Sequence, residues 1–337
     1  MSPATTPAVT QATGVGSWPG TDVREAIVTV RDLLIDGDGI GLPYLPETPH
    51  RGPGADIIGR AAGLLVDLPV DLQPAGWRLV DRPGRDAQRT AALHRADLDE
   101  LAEAYDGFAG SLKVQVCGPW TLLASLELTR GERSLVDEGA RRDVLASLAE
   151  GISRYVADVR RLVPGADVVL QLDEPSLPAV LAGNLPTASG YGRIRAIDPQ
   201  VAARGLQEVL AKHDGLTVVH CCARGAPMPL LRAAGAGAIS LDLNDASATR
   251  WESVAATIES GVGVFAGVLT GDGATSADAA RGVILGAFER VGLEAAALAS
   301  VTITPACGLA GTTLAIARRI TRDAVAVGRQ LTEEGNR

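Results

Sequence analysis

One alternation constrains this chain of 337 residues more than any other feature. Short runs rich in apolar and β-branched residues end in Gly, Pro or polar residues, and each is followed by a longer stretch with helical spacing. The runs are Ala12–Pro19, Gly39–Leu45, Leu112–Cys117, Val168–Leu172, Leu216–His220, Ala238–Leu243, Val262–Leu269 and Val301–Thr304. Several are almost continuously apolar, as expected of parallel strands covered on both faces. Among the helices, Ser134 with Asp137 three residues on reads as an N-cap for the series Leu145, Leu148, Ile152, Tyr155 and Val159, which Pro164-Gly165 stops. Thr275 opens another with Asp278 in its first turn, and Leu314 to Leu331 carries the same period. Eight strand–helix units predict an α/β chain forming a single (β/α)8 TIM barrel rather than a doubly wound sheet, which more often has roughly five or six strands.

Residues 1–11 read as a disordered Pro-, Thr- and Ser-containing tail, and residues 12–337 as the barrel domain. Two insertions are expected in the loops after strands 2 and 4: residues 56–110, including a helix at His94–Tyr105, and the loop Leu181–Ala202 with Tyr191, Arg193 and Arg195. A net charge of −9, from 31 basic against 40 acidic side chains, excludes a protein that neutralises nucleic-acid phosphates. No run of apolar residues is long enough to span a bilayer. Four cysteines are too few for a disulfide scaffold, and no export signal opens the chain, so a reducing cytoplasm is expected.

In a barrel of this kind the chemistry gathers at the carboxyl ends of the strands. His220, Cys221 and Cys222 follow one apolar run, Cys307 follows the last, and Asp242 interrupts the run between them. Alternation along a strand puts His220 and Cys222 on one side and Cys221 on the other. An imidazole with two thiolates and a weak fourth ligand suits Zn2+ with an exchangeable position. Against this stands the ordinary fate of a cysteine as a small buried hydrophobe. His50 in the loop Pro49–Gly54 is expected in solvent, and His94 and His213 on the surface.

Five ordered segments carry a resemblance over almost the whole chain: Gly14-Val-Gly-Ser-Trp-Pro, Cys117-Gly-Pro-Trp-Thr, Gln171-Leu-Asp-Glu-Pro, His220-Cys-Cys and Pro305-Ala-Cys-Gly-Leu. The sequence resembles the catalytic C-terminal half of cobalamin-independent methionine synthase, a relative of uroporphyrinogen decarboxylase. The resemblance implies a methyltransferase of the 5-methyltetrahydropteroyltriglutamate–homocysteine type, with His220, Cys222 and Cys307 as zinc ligands. Asp242 stands where the family has a Glu ligand. Ser17, Glu47 and Asp173 match the homocysteine contacts, the two carboxylates compensating the substrate's ammonium.

Two departures touch the methyl donor. The chain has no His after His220, which leaves Asp272 as the nearest replacement for the family's general acid, a role requiring burial to raise its pKa. Ser125 stands where a pterin-stacking Trp is expected, and Trp120 is the neighbouring aromatic. The expected function is zinc-dependent methyl transfer to a small thiol, homocysteine, from methyl-tetrahydrofolate or a methyl-corrinoid protein. The competing readings are a metal-free decarboxylase on the same barrel and a barrel that binds zinc or an amino acid without turnover.

Overall fold

A computed structural model describes residues 11–35 and 37–337. Seven parallel strands form a curled sheet in the order β1-β9-β8-β7-β6-β5-β4. They are β1 (Gln11–Ala12), β4 (Ala109–Cys117), β5 (Gly165–Asp173), β6 (Thr217–Cys221), β7 (Ala238–Asp242), β8 (Gly263–Leu269) and β9 (Val301–Pro305). The hairpin β2 (Val70–Gln73) and β3 (Gly76–Leu79) is antiparallel and separate. Eleven helices are described: α1 (Val23–Leu34), α2 (Ile57–Ala62), α3 (Arg85–Ala104), α4 (Pro119–Ser125), α5 (Glu138–Leu162), α6 (Leu177–Ala182), α7 (Pro199–Leu210), α8 (Met228–Ala233), α9 (Ala248–Glu259), α10 (Ala277–Val291) and α11 (Leu314–Gly335).

The first two expected strands are much shorter than the sequence pattern implies. Only Gln11 and Ala12 pair in regular register with β9, and residues 13–19 continue as an irregular segment. Residues 39–45 make isolated bridges instead of a continuous strand, because Pro43 has no N–H to give to a ladder. The segment nevertheless touches both edges of the sheet. Leu42 N donates to Ala12 O at 2.8 Å, and Leu45 N to Lys113 O at 3.0 Å. The expected tail lies outside the described residues except for Gln11, which begins β1.

The two long connections carry their own elements: α2, the β2–β3 hairpin and α3 between residues 46 and 108, and α6 and α7 after β5. Helix α5 starts later than its sequence pattern, since Ser134 opens a short 3-10 turn and Asp137 is the cap, accepting from Ala140 N at 2.8 Å. Helix α10 is likewise capped by Ser276 and not Thr275.

Alternation divides the strand residues into two cores. Leu112, Val114, Leu170, Leu172, Val219, Cys221, Ile239 and Leu241 join the large core that packs the sheet against the helices. Val169, Val218, Ala238 and Phe265, with Leu42, form a small separate cluster on the concave face. Above that apolar floor the same face becomes polar, with Lys113, Gln115, Gln171, Asp173, His220 and Ser240 all buried. His94 and His213 are also buried, contrary to expectation, because each ring nitrogen Nε2 meets a backbone carbonyl, of Arg60 at 2.9 Å and of Val168 at 2.8 Å. His50 is exposed as expected.

Gly151 lies mid-helix in α5, where a Cβ would overlap the backbone oxygen of Leu64. Helix propensity favours Ala over Gly by about 1 kcal/mol, but a rigid carbonyl in the way costs about 1–3 kcal/mol. Gly151→Ala is therefore expected to lower stability in urea denaturation, and an increase would show that α5 is free to move off residues 61–66.

Candidate active site

At the carboxyl end of β6 the chain delivers His220 and then Cys222 to the concave side, while Cys221 is fully buried among the helix-facing residues. Cys307 arrives from the turn after β9. One ligand atom from each of His220, Cys222 and Cys307 lies within 4.8 Å of the others. The two sulfurs are 3.5 Å apart and share a hydrogen bond. His220 Nδ1 lies 2.9 Å from Ser240 Oγ, which leaves Nε2 for the sulfurs.

The shared proton splits the two thiols. The hydrogen bond between Cys307 and Cys222, and then the one with His220, pulls the Cys307 thiol down to about 4, while the same sulfur–sulfur bond and burial push Cys222 up. The group grades from buried His220 to exposed Cys307.

Asp173 ends β5 and pairs across the sheet with His220. Burial pushes its carboxyl up to about 6, against the pull of His220, while Gln171 Nε2 donates to its Oδ1 at 2.7 Å. Gln171 Nε2 also donates to Val15 O at 2.8 Å, the carbonyl that accepts from Lys113 Nζ at 2.8 Å. Burial lowers the Lys113 ammonium to about 8, although Asp173 and Glu47 pull it back up. Glu47 is buried beside Arg60, Nε to Oε1 3.2 Å, and burial raises its carboxyl more than Arg60 lowers it. Arg60 also pairs with Asp97, which Arg51 Nη1 reaches at 2.6 Å. Ser17 stands at the rim, its Oγ accepting from Ala310 N at 3.3 Å.

Three expected site residues are placed differently. Asp242 is outside the His220–Cys222–Cys307 group; its Oδ1 accepts from Asn244 N and Nδ2, both at 3.0 Å, because a side chain this short turns back onto its own loop. Asp272 is exposed, and Thr270 Oγ1 at 2.6 Å lowers its carboxyl. It is a poor proton donor, the reverse of what a general acid needs. Trp120 has no exposed surface: its Nε1 donates to Ala202 O at 2.9 Å, so its ring is a packing element and offers no platform to a ligand.

Lys113, Arg60, Asp97 and Glu174 escaped the sequence reading. The run Leu112-Lys-Val-Gln-Val-Cys held the signal, since its alternate polar residues face inward at Lys113 and Gln115. Glu174, beside Asp173 in sequence, points elsewhere and accepts from Trp120 N and Thr121 N at 2.8 Å and Thr121 Oγ1 at 2.7 Å, fixing the start of α4.

A parallel α/β sheet that gathers two thiols and an imidazole at its carboxyl rim offers the donor set of a metal centre. Residues 9–330 match the family model described as cobalamin-independent synthase, catalytic domain, and the chain belongs to that family of methionine-synthase-type methyltransferases. The fold is similar to the structure of a B12-independent methionine synthase from Shewanella sp. W3-18-1 in complex with selenomethionine, at TM-score 0.61 and 12% identity over 97% of this chain and 98% of that one. The carboxyl transferase domain of Rhizobium etli pyruvate carboxylase aligns at TM-score 0.32 and 14% identity, over 99% of this chain and 53% of that one, too weakly to carry an argument. No match is found among curated proteins. Among the described residues no helix is long and apolar enough to cross a membrane.

His94 donates to the Arg60 carbonyl beneath this site. Burial lowers its folded pKa to about 4, from 6.5. The folded state therefore binds fewer protons than the unfolded chain between those values, and stability present above pH 6.5 is lost as pH falls toward 4. For a histidine this deeply buried the loss is roughly 3 kcal/mol. His94→Gln is expected to flatten the fall in unfolding free energy between pH 7 and pH 4 by about that amount; parallel curves for the two proteins would refute it.

Proposed function

We propose that the chain is a zinc-dependent methyltransferase that methylates homocysteine to methionine, taking the methyl group from methyl-tetrahydrofolate or a methyl-corrinoid protein. The observation that carries this is the convergence of His220, Cys222 and Cys307 from two distant strand ends within 4.8 Å. The donor set fits the metal: two sulfurs and one imidazole suit tetrahedral Zn2+, and His220 Nδ1–H donating to Ser240 Oγ would fix the ring so that Nε2 keeps its lone pair for the ion. Three firm ligands leave a position for substrate. When bound, zinc supplies the charge that keeps a coordinated thiol deprotonated near neutral pH.

The chain's own residues do the rest. Asp173 receives the substrate's ammonium, for which a buried carboxylate without an ion-pair partner among the described residues is suited. Glu47, already beside Arg60, is the second acidic contact, and Ser17 meets the amino-acid end from the rim. With the substrate so held, its thiolate displaces the methyl group in line: the sulfur–carbon bond forms and the bonding pair stays with the donor. A nitrogen leaving group must take up a proton, whereas a cobalt leaving group need not. With Asp272 exposed and acidified, the corrinoid donor demands less of this chain.

The same reading extends to the fold. Residues 39–45, bonded to both β1 and β4, serve as the eighth stave that closes a TIM barrel, and residues 12–337 act as one catalytic domain. Two free thiols at 3.5 Å suit a reducing cytoplasm.

Cys222→Ser and Cys307→Ser are each expected to lose bound zinc, while Cys221→Ser retains it. Equal loss in all three would overturn the ligand assignment. X-ray absorption at the zinc edge is expected to gain a sulfur neighbour when homocysteine is added. Asp173→Asn is expected to raise the KM for homocysteine tenfold or more with zinc content intact, and an unchanged KM would remove Asp173 from the pocket.

A further inference from the structure

Asp173 is 7% exposed, and only one of its carboxylate oxygens has a hydrogen-bond partner among the described residues: Oδ1 accepts from Gln171 Nε2 at 2.7 Å. The two residues stand two apart on β5 and so share the concave face. Gln171 Nε2 has a second acceptor, the Val15 carbonyl oxygen at 2.8 Å, and an amide nitrogen of this kind carries two N–H groups. Both are thereby committed. The reversed amide would set its own oxygen against a carbonyl and a carboxylate, so the orientation is fixed by the chemistry of the two acceptors. Val15 O is held in turn by Lys113 Nζ at 2.8 Å, and that ammonium lies 4.9 Å from the centre of the Tyr44 ring. Gln171, Lys113 and Tyr44 are all buried, so each can act on a ligand only through Asp173, where this series of contacts ends.

We propose that Gln171 is a positioning residue that makes the site selective for a thiol bearing an α-ammonium: it occupies Oδ1 of Asp173, fixes the carboxylate, and leaves Oδ2 to accept from the ammonium. The last torsion of an Asp side chain is broad, and a carboxylate free to turn about it gives up that freedom each time it binds. The bond to Gln171 removes the freedom in advance, and a donated N–H suits the charged carboxylate that an ammonium requires. Without Gln171, Val15 O would still be bonded to Lys113, so Asp173 alone would lose its donor. The thiol end would be untouched, because His220, Cys222 and Cys307 lie outside this series of contacts. The inference rests on the reading of Asp173 as the ammonium contact of a homocysteine site.

Isothermal titration of the zinc-loaded full chain with homocysteine and with 4-sulfanylbutanoate, the same thiol acid without its amino group, tests it. Wild type is expected to favour homocysteine. Gln171→Met, which keeps the side-chain length and removes both N–H groups, is expected to lose tenfold or more of that preference by weakening homocysteine alone, with zinc content unchanged. Should that variant fail to fold, Gln171→Glu carries the same comparison, since it keeps the shape and sets an acceptor against Asp173. A role confined to packing would weaken both thiols alike. Equal weakening of the two, or an undiminished preference in a folded variant, overturns the role of Gln171 and leaves the homocysteine site standing. A wild type that binds homocysteine no better than the amine-free thiol overturns the reading of Asp173 itself, and the inference with it.

Discussion

Because all seven strands of the curled sheet run in one direction, their carboxyl ends meet on a single rim. Strand alternation then decides what each strand offers there. His220 and Cys222 share a face, Cys221 takes the other, and Cys307 meets them although 85 residues separate it from Cys222 along the chain. A one-residue slip in β6 would bury His220 among the helices and bring Cys221 to the rim. The large core behind the sheet, to which Val219, Cys221, Ile239 and Leu241 all belong, forbids that slip.

The concave face of the curled sheet departs from the branched apolar filling that closed parallel barrels usually have. Only its floor is apolar, and above it Lys113, Gln115, Gln171 and Asp173 are buried. Such groups are tolerated where each finds a partner, and here backbone carbonyls serve: Val15 O satisfies both Lys113 and Gln171, and Leu45 O accepts from Gln115 at 2.6 Å. These carbonyls belong to the irregular segments around residues 13–17 and 43–47. The loss of regular strand there and the polar interior are two sides of one arrangement, since a carbonyl committed to a ladder has less to give a side chain.

The insertion before β4 works in the same direction. Along the series Arg51–Asp97–Arg60–Glu47 the charges alternate in sign, so that none of these four is left alone. Arg60 stands between the two carboxylates, and its carbonyl receives His94. A helix that looks peripheral in sequence thereby anchors a residue of the site.

What the sequence determined by itself was whatever depends on local periodicity: the order of strands and helices, the face shared by His220 and Cys222, the exclusion of Cys221. These follow from side-chain spacing within one element, where i and i+2 cannot be separated. Irregular backbone was less legible, as at Pro43, and so was the choice of cap between Ser134 and Asp137. Only the tertiary structure decided that Asp242 turns to Asn244, that Trp120 is sealed against Ala202, that Asp272 lies in solvent, and that Lys113 and Arg60 sit among the site's carboxylates. Each of those outcomes depends on which distant atoms occupy the neighbouring space, and on the balance between desolvation and pairing there, which no spacing along a chain encodes.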